Sequence, residues 1–257
     1  LLEQVHDIAT QLVSHKLAAV LAELGHALLM TGDVTEAETH FQRALELLQD
    51  SGDDYRAAAV LADLGILHLR YAAPQQARAT LEVAYSLAQR IHDCPMLIEI
   101  KARLARVALA LNEFEVARTT VQEALERLAD TPIAGLRSDL QATLAQVHLG
   151  EGDYSKAQQH INTALSLAWE SGATAQVLEH FVIISEIHRK RSRLEQAATL
   201  LYTVLNHRQA HYLDKRRAWR VLESLSDYVD ATILRDAEAE GQHANLEALV
   251  EYTLQAP

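Results

Sequence analysis

The sequence repeats itself every 40 residues. The pair Leu24-Gly25 is followed by Leu64-Gly65, and the series continues with Leu104-Ala105, Leu144-Ala145 and Ile184-Ser185. Small residues keep the same spacing at two other positions: Ala37, Ala77, Ala117, Ala157 and Ala197, then Ala44, Ala84, Ala124, Ala164 and Val204. Large apolar residues lie between them: Phe41, Leu81, Val121, Ile161 and Leu201. A fixed period of this length predicts a stack of similar units, each burying its apolar face on its neighbours.

The spacing inside a unit predicts helices. Two small residues seven apart, with a large residue four after the first, lie on one face of a helix and let a second helix approach closely. The chain contains only 9 Gly and 4 Pro, and 5% of its residues are aromatic, which disfavours sheet folds. Since 49% of its residues are hydrophobic, it can bury a core. We therefore expect an all-α fold.

The repeat resembles the tetratricopeptide repeat (TPR) family. The first unit carries Leu21, Leu24, Gly25, Leu28, Gly32, Ala37, Phe41 and Ala44, and the fourth carries Leu144, Ala145, Gly152, Tyr154, Ala157, Ile161 and Ala164. The resemblance implies a right-handed α-α superhelix, a TPR-like solenoid of antiparallel helix pairs. The usual period of the family is about 34 residues. We place the additional residues between units, where longer helices or longer turns would absorb them.

One continuous solenoid is expected over residues 1–257. The predicted repeats cover residues 18–51, 58–91, 98–131, 138–171 and 178–211. Residues 1–17 are interpreted as the remnant of a preceding repeat, so we expect the chain to be a fragment of a longer protein. Residues 212–257 are interpreted as a degenerate repeat with a capping helix, because Gly241 stands where a large residue is expected. A glycine there is expected to suit neither a helix interior nor a packed contact.

The resemblance also implies a binding surface, because first helices line the concave face in this family. Its ligand-contacting repeat positions map onto thirteen candidates: His26, Leu29, Ile66, Leu69, Arg70, Glu99, Arg106, Asp139, Gln146, Glu179, Glu186, Arg189 and Lys190. Their character changes from apolar to charged along the chain, which favours a protein or peptide partner with both kinds of side chain. The leucines among them have an alternative interpretation as a packing seam between successive first helices.

Several function classes are disfavoured. The net charge of −12 argues against direct binding of nucleic acid. No apolar run reaches the roughly 18 residues that a membrane-spanning helix needs, so no membrane partner is expected. The single Cys94 fits a reducing, cytoplasmic location. We find neither a phosphate loop nor a nucleophile elbow and predict no enzyme activity, cofactor or metal. His68, His148 and His188 share one repeat position and are expected to be buried or half-buried.

The sequence therefore predicts an interaction module that binds a protein or peptide. The array is similar to the C-terminal sensor arrays of bacterial signal-transduction NTPases and transcriptional regulators, which implies that other domains of a parent chain are also partners. Two alternatives remain open, namely a receptor that binds a small-molecule inducer and a free-standing assembly scaffold.

Overall fold

A computed structural model of the chain describes residues 2–71, 73–128, 133–226 and 228–255. Within these residues it contains thirteen α-helices and no strand. The first ten are α1 (Leu2–Thr31), α2 (Val34–Ser51), α3 (Asp54–Arg70), α4 (Pro74–Arg90), α5 (Cys94–Ala110), α6 (Phe114–Arg127), α7 (Ala134–Glu151), α8 (Tyr154–Glu170), α9 (Thr174–Lys190) and α10 (Leu194–Asn206). The last three are α11 (Tyr212–Ser226), α12 (Ala231–Gln242) and α13 (Leu246–Gln255). The all-α prediction is confirmed.

The helix lengths explain the 40-residue period. Helices α3, α4, α5, α8 and α9 each contain 17 residues, and the turns that follow them are three residues long, as in 91–93 and 171–173. Helix α3 begins at Asp54, four residues before the predicted start of its repeat. The residues added to the usual TPR period therefore lengthen the first helices, whereas the turns stay short.

Glycine and aspartate mark the junctions between helices. Gly52 and Gly152 end α2 and α7 in the left-handed region, with φ of 69° and 82°, where a residue without Cβ is favoured. Asp53 and Asp153 follow them, and each carboxylate accepts a hydrogen bond from the backbone N–H three residues later, at 3.0 and 3.1 Å. Asp93 caps α5 in the same way. These caps satisfy donors that the first helical turn leaves unpaired.

The helices form two compact units, residues 1–111 and 112–257. In the N-terminal unit the cores surround Phe41 and Leu81, which are fully buried. In the C-terminal unit a larger core includes Ile161 and Phe181. The alanines of the repeat pattern are fully buried beside these large side chains: Ala37, Ala44, Ala77, Ala84, Ala157 and Ala164. The repeat pattern is thus a packing pattern inside each unit.

The Leu-Gly pairs permit close helix contacts. A Cβ on Gly25 would lie 2.9 Å from Phe41 Cε1, and one on Gly65 would lie 2.5 Å from Leu81 Cγ. Both distances are shorter than van der Waals contact, so a side chain at either glycine would displace the large residue of the second helix.

Gly241 has a packing role that the sequence did not reveal. It is buried near the end of α12, and a Cβ there would lie 2.6 Å from Tyr202 Cβ and 2.9 Å from the Thr203 backbone nitrogen. The expectation that a glycine suits no packed contact at this position was wrong. The absence of a side chain is what lets α12 approach the backbone of α10.

Helix α1 runs without interruption from Leu2 to Thr31, across the predicted boundary between residues 17 and 18. The division of the chain into a remnant, five repeats and a degenerate repeat stays a prediction. The three helices α11, α12 and α13 lie within the segment 212–257 that was assigned to the degenerate repeat and its cap.

Helix α1 also carries an apolar surface. Its window Leu12–Leu29 has a mean hydropathy of 1.3, so it is long and apolar enough to cross a membrane, and the statement that no such run exists was wrong. Val13, Leu17, Val20 and Leu24 in this window are exposed. The residues one period after the last three are buried: Ala57, Val60 and Leu64. The exposed apolar face of α1 therefore corresponds to positions that are buried in the next first helix, α3. The exclusion of a membrane partner stays a prediction.

Candidate functional site

A chain of polar contacts crosses three successive first helices of the N-terminal unit. His26 Nε2 on α1 donates to Asp63 Oδ2 on α3 at 2.8 Å. Arg103 on α5 donates from Nη1 to Asp63 Oδ1 at 2.8 Å and from Nη2 to Glu99 Oε1 at 2.5 Å. One carboxylate therefore joins a histidine and an arginine that lie on different helices.

Charged side chains in this series of polar contacts shift the pKa values of their neighbours. The hydrogen bond to Asp63 raises the pKa of His26 above its ordinary value of 6.5, although partial burial opposes the shift. Burial acts to raise the pKa of Asp63, but the His26 hydrogen bond and the Arg103 charge outweigh it and hold that pKa below 3.8. Both shifts favour the charged pair, as expected when opposite charges meet.

A groove of about 220 Å³ opens beside the contact between His26 and Asp63. Its walls come from α1, the end of α2, and α3. Ala19, Ala22 and Ala59 supply small apolar surface, while His26 and Asp63 supply polar atoms at one side. Such a mixture suits an extended segment whose side chains alternate between apolar and charged.

A second polar cluster lies in the C-terminal unit, on α7, α9 and α11. Arg217 donates from Nε and Nη2 to Glu186 Oε1, at 3.1 and 3.0 Å. With its amide oxygen turned toward α11, Gln146 accepts from Arg217 Nη2 at 2.9 Å. Nearby in sequence, Asp139 accepts from Gln176 Nε2 at 3.0 Å, again between α7 and α9.

The structure brings some predicted site residues together. Described contacts join His26 with Glu99 and Gln146 with Glu186, in both cases through residues that were not among the predicted site residues. Asp63 and Arg103 are those residues in the first case. They lie 40 residues apart with opposite charges, a signal that the repeat alignment contained.

The remaining predicted residues vary in exposure. Leu29 and Leu69 are partly buried and pack against the apolar cores of the N-terminal unit, which supports the packing-seam interpretation. The other residues are half-buried, except for the exposed Lys190: Ile66, Arg70, Arg106, Asp139, Glu179 and Arg189. The choice of these residues as ligand contacts stays a prediction.

The three histidines at one repeat position are partly or fully buried, as predicted. The side chains of His68 and His148 are 15% and 12% exposed, and His188 is 3% exposed. Within the described residues, no group of three or more His, Cys, Asp or Glu side chains could hold a metal ion.

The helix pairs and their packing define a TPR-like helical solenoid fold. Residues 16–90 match the sequence model of the tetratricopeptide repeat. No curated protein sequence matches the chain.

Solved structures share the fold at low sequence identity. A Rap protein complexed with Competence and Sporulation Factor matches 91% of this chain and 67% of its own, with 15% identity and a TM-score of 0.67. BtubC from P. vanneervenii matches 89% of both chains, with 18% identity and a TM-score of 0.58. The apo form of RapI matches 98% of this chain and 80% of its own, with 12% identity and a TM-score of 0.54. At these identities the likeness shows the fold alone.

Proposed function

We propose that this chain binds a peptide or an extended protein segment along the first helices of its N-terminal unit. The observation that carries the proposal is the groove beside Ala19 and Ala59, with the His26–Asp63 pair at its side. Small side chains leave room for a segment to approach the helices. The polar pair offers a charged, hydrogen-bonding contact that would fix the register of that segment.

The ligand matching this groove has two properties. Its apolar side chains are short, because the groove is only about 220 Å³ and its floor is lined by alanines such as Ala18 and Ala22. It also carries polar or charged groups, because Glu23, Arg56 and Asp63 line the same groove. A peptide meets both conditions, and the Rap protein that binds Competence and Sporulation Factor supports ligand binding on a fold of this type.

We further propose that the chain is the sensor or regulatory part of a larger cytoplasmic signalling or transcriptional regulator. The resemblance of the 40-residue repeat to the C-terminal sensor arrays of such regulators supports this proposal, and the fold likeness to a Rap protein complexed with Competence and Sporulation Factor supports ligand binding by a fold of this type. The coding sequence upstream of Leu1 tests this part. A phosphate loop there agrees with a regulatory NTPase, and an initiator Met directly before Leu1 contradicts it.

The peptide-binding proposal is tested by selecting a peptide and then obstructing the groove. A random peptide library displayed on phage is selected against the whole chain, and a recovered peptide is titrated by calorimetry. Ala19→Trp places a large side chain in the groove. Ala79→Trp is the matched control, because it makes the same change at an exposed alanine of the second helix α4.

We expect Ala19→Trp to weaken the selected peptide at least tenfold, because the indole fills space that the peptide occupies. Ala79→Trp should leave the affinity within twofold of the wild-type chain. Equal affinities of the two variants would place the binding site elsewhere. Failure to recover any specific peptide would favour the scaffold or the small-molecule receptor over peptide binding.

A further inference from the structure

A second cavity lies in the C-terminal unit, far along the sequence from the proposed peptide groove. Its volume is about 340 Å³, at the lower end of the range for small-molecule sites. Helix α9 contributes His188, α10 contributes Thr199 and Leu200, α12 contributes Glu240, and α13 contributes Tyr252. Four helices thus line a partly open space suited to a small ligand.

His188 is the unusual residue of this cavity. It is 3% exposed, and neither of its ring nitrogens has a hydrogen-bond partner among the described residues. Buried polar side chains are nearly always hydrogen-bonded, so an imidazole with two unused nitrogens at a cavity wall indicates a missing partner. That partner can be a ligand that enters the cavity.

The repeat register explains why the protein itself supplies no partner. At the equivalent position of the second repeat, His68 Nδ1 lies 3.2 Å from Thr80 Oγ1. The residue that corresponds to Thr80 in the fifth repeat is Leu200, whose side chain cannot form a hydrogen bond. Leu200 lines the cavity together with His188. The hydroxyl present in one repeat is therefore replaced by an apolar wall in the other.

The charges around the cavity indicate which ligand it accepts. Glu195 and Glu240 are exposed lining residues. Arg191 and Arg193 lie close enough for their charges to act on His188, but the described lining contains no Lys or Arg. Thr199 Oγ1 donates to Glu240 Oε2 at 3.3 Å, which directs that carboxylate toward α10. Leu249 adds an apolar wall. The site thus combines two negative charges, an apolar interior and a buried imidazole.

We propose that this cavity binds a small organic cation, a primary amine or guanidinium on a short, partly apolar body. The cation pairs with Glu195 and Glu240, the body lies against Leu200 and Leu249, and a polar group at the other end hydrogen-bonds His188. A neutral imidazole offers one donor and one acceptor, so a hydroxyl or a second amine can fill this role. Such a cation is either a free metabolite or a Lys or Arg side chain of a partner.

The test is calorimetric titration of the whole chain with matched probes. Tyramine and para-hydroxyphenylacetate share a phenol ring and differ in the charge of their tails, so the pair isolates the effect of charge. Agmatine presents a guanidinium. Nα-acetyl-lysine methylamide presents a primary ammonium, as tyramine does, but on a peptide unit. Tighter binding of this probe than of the free amines indicates a partner's side chain as the natural ligand, and weaker binding indicates a free metabolite.

Two substitutions separate binding from folding. Glu240→Gln removes a charge at the cavity, and Glu251→Gln removes one from an exposed residue of α13 that does not line it. We expect tyramine or agmatine to bind with submillimolar affinity, Glu240→Gln to weaken binding about three- to fivefold, and Glu251→Gln to leave it unchanged. His188→Leu should weaken binding about tenfold or more, because it removes the buried hydrogen bond.

Several results would overturn the proposal. One is the absence of binding by every cationic probe at millimolar concentration, and another is equal binding of tyramine and para-hydroxyphenylacetate. Unchanged affinity in His188→Leu would show that the histidine is only part of the core. Should that variant fail to fold, Leu249→Trp fills the cavity from α13, and binding that persists in a folded Leu249→Trp chain would contradict the proposal.

Discussion

Replacing His188 with leucine should stabilise the protein. The wild-type side chain is buried with neither ring nitrogen hydrogen-bonded within the described structure, and leaving a buried polar group unsatisfied costs about 1–3 kcal/mol. Leucine has a similar volume and no polar atom, so it removes this cost while leaving little empty space. At pH 7.5 we therefore expect the free energy of unfolding to rise by about 1 kcal/mol or more.

The same substitution should change how stability depends on pH. Burial, with smaller contributions from the charges of Arg193 and Arg191, lowers the pKa of His188 from 6.5 to about 4. Between these values the unfolded chain binds a proton that the folded chain does not, so stability falls as the pH falls through this window. From pH 7.5 to pH 5 the loss is about 2 kcal/mol for this one group.

The assay is urea unfolding followed by circular dichroism at pH 7.5 and pH 5. The matched control is His243→Leu, which makes the same change at an exposed histidine. The advantage of His188→Leu over wild type should grow by about 2 kcal/mol between the two pH values, whereas His243→Leu should follow wild type. A constant difference between His188→Leu and wild type would refute the argument, because it would mean that His188 titrates alike in both states.

Two further predictions concern the N-terminal site and the helix contacts. Asp63→Asn should lower the pKa of His26, measured by NMR titration of its ring protons, because the hydrogen-bonded carboxylate raises it above 6.5. The stability from this pair should be present below pH 6.5 and lost as the pH rises through the folded pKa; an unchanged His26 titration would exclude the contact. Gly65→Ala should destabilise the protein by about 1–3 kcal/mol, because its Cβ would lie 2.5 Å from Leu81 Cγ. Gly135→Ala, whose Cβ would meet only ordinary contacts at 3.6 Å, should be neutral or stabilising by up to about 1 kcal/mol in thermal unfolding; equal effects of the two alanines would contradict the packing account.

The sequence was sufficient to predict the helix pairs because their packing depends on side-chain size at fixed spacing. Ala37, Phe41 and Ala44 specify one face of α2, and all three are fully buried. Gly241 was misinterpreted because a glycine, considered alone, suggests a weak helix. Whether its missing side chain is a defect or a requirement depends on how near Tyr202 lies, and only the tertiary structure supplies that distance.

The candidate sites were predictable only in part. The ligand-contacting repeat positions identified His26 and Glu99. Asp63 on the helix between them, α3, was missed because its repeat position is not one of those positions. The cavity at His188 could not be predicted, because it depends on α12 and α13. These helices follow the last well-formed repeat, so the register does not fix where residues such as Tyr252 lie.

The most direct measurement of the central proposal is methyl NMR of alanine-labelled protein during titration with the selected peptide. The proposal predicts the largest shifts for the methyl groups of Ala19, Ala22 and Ala59, which line the groove between α1 and α3. The chemical shift of the Ala79 methyl group on α4 should not change. Shifts centred on Ala79, with the three groove methyls unchanged, would contradict peptide binding along the first helices.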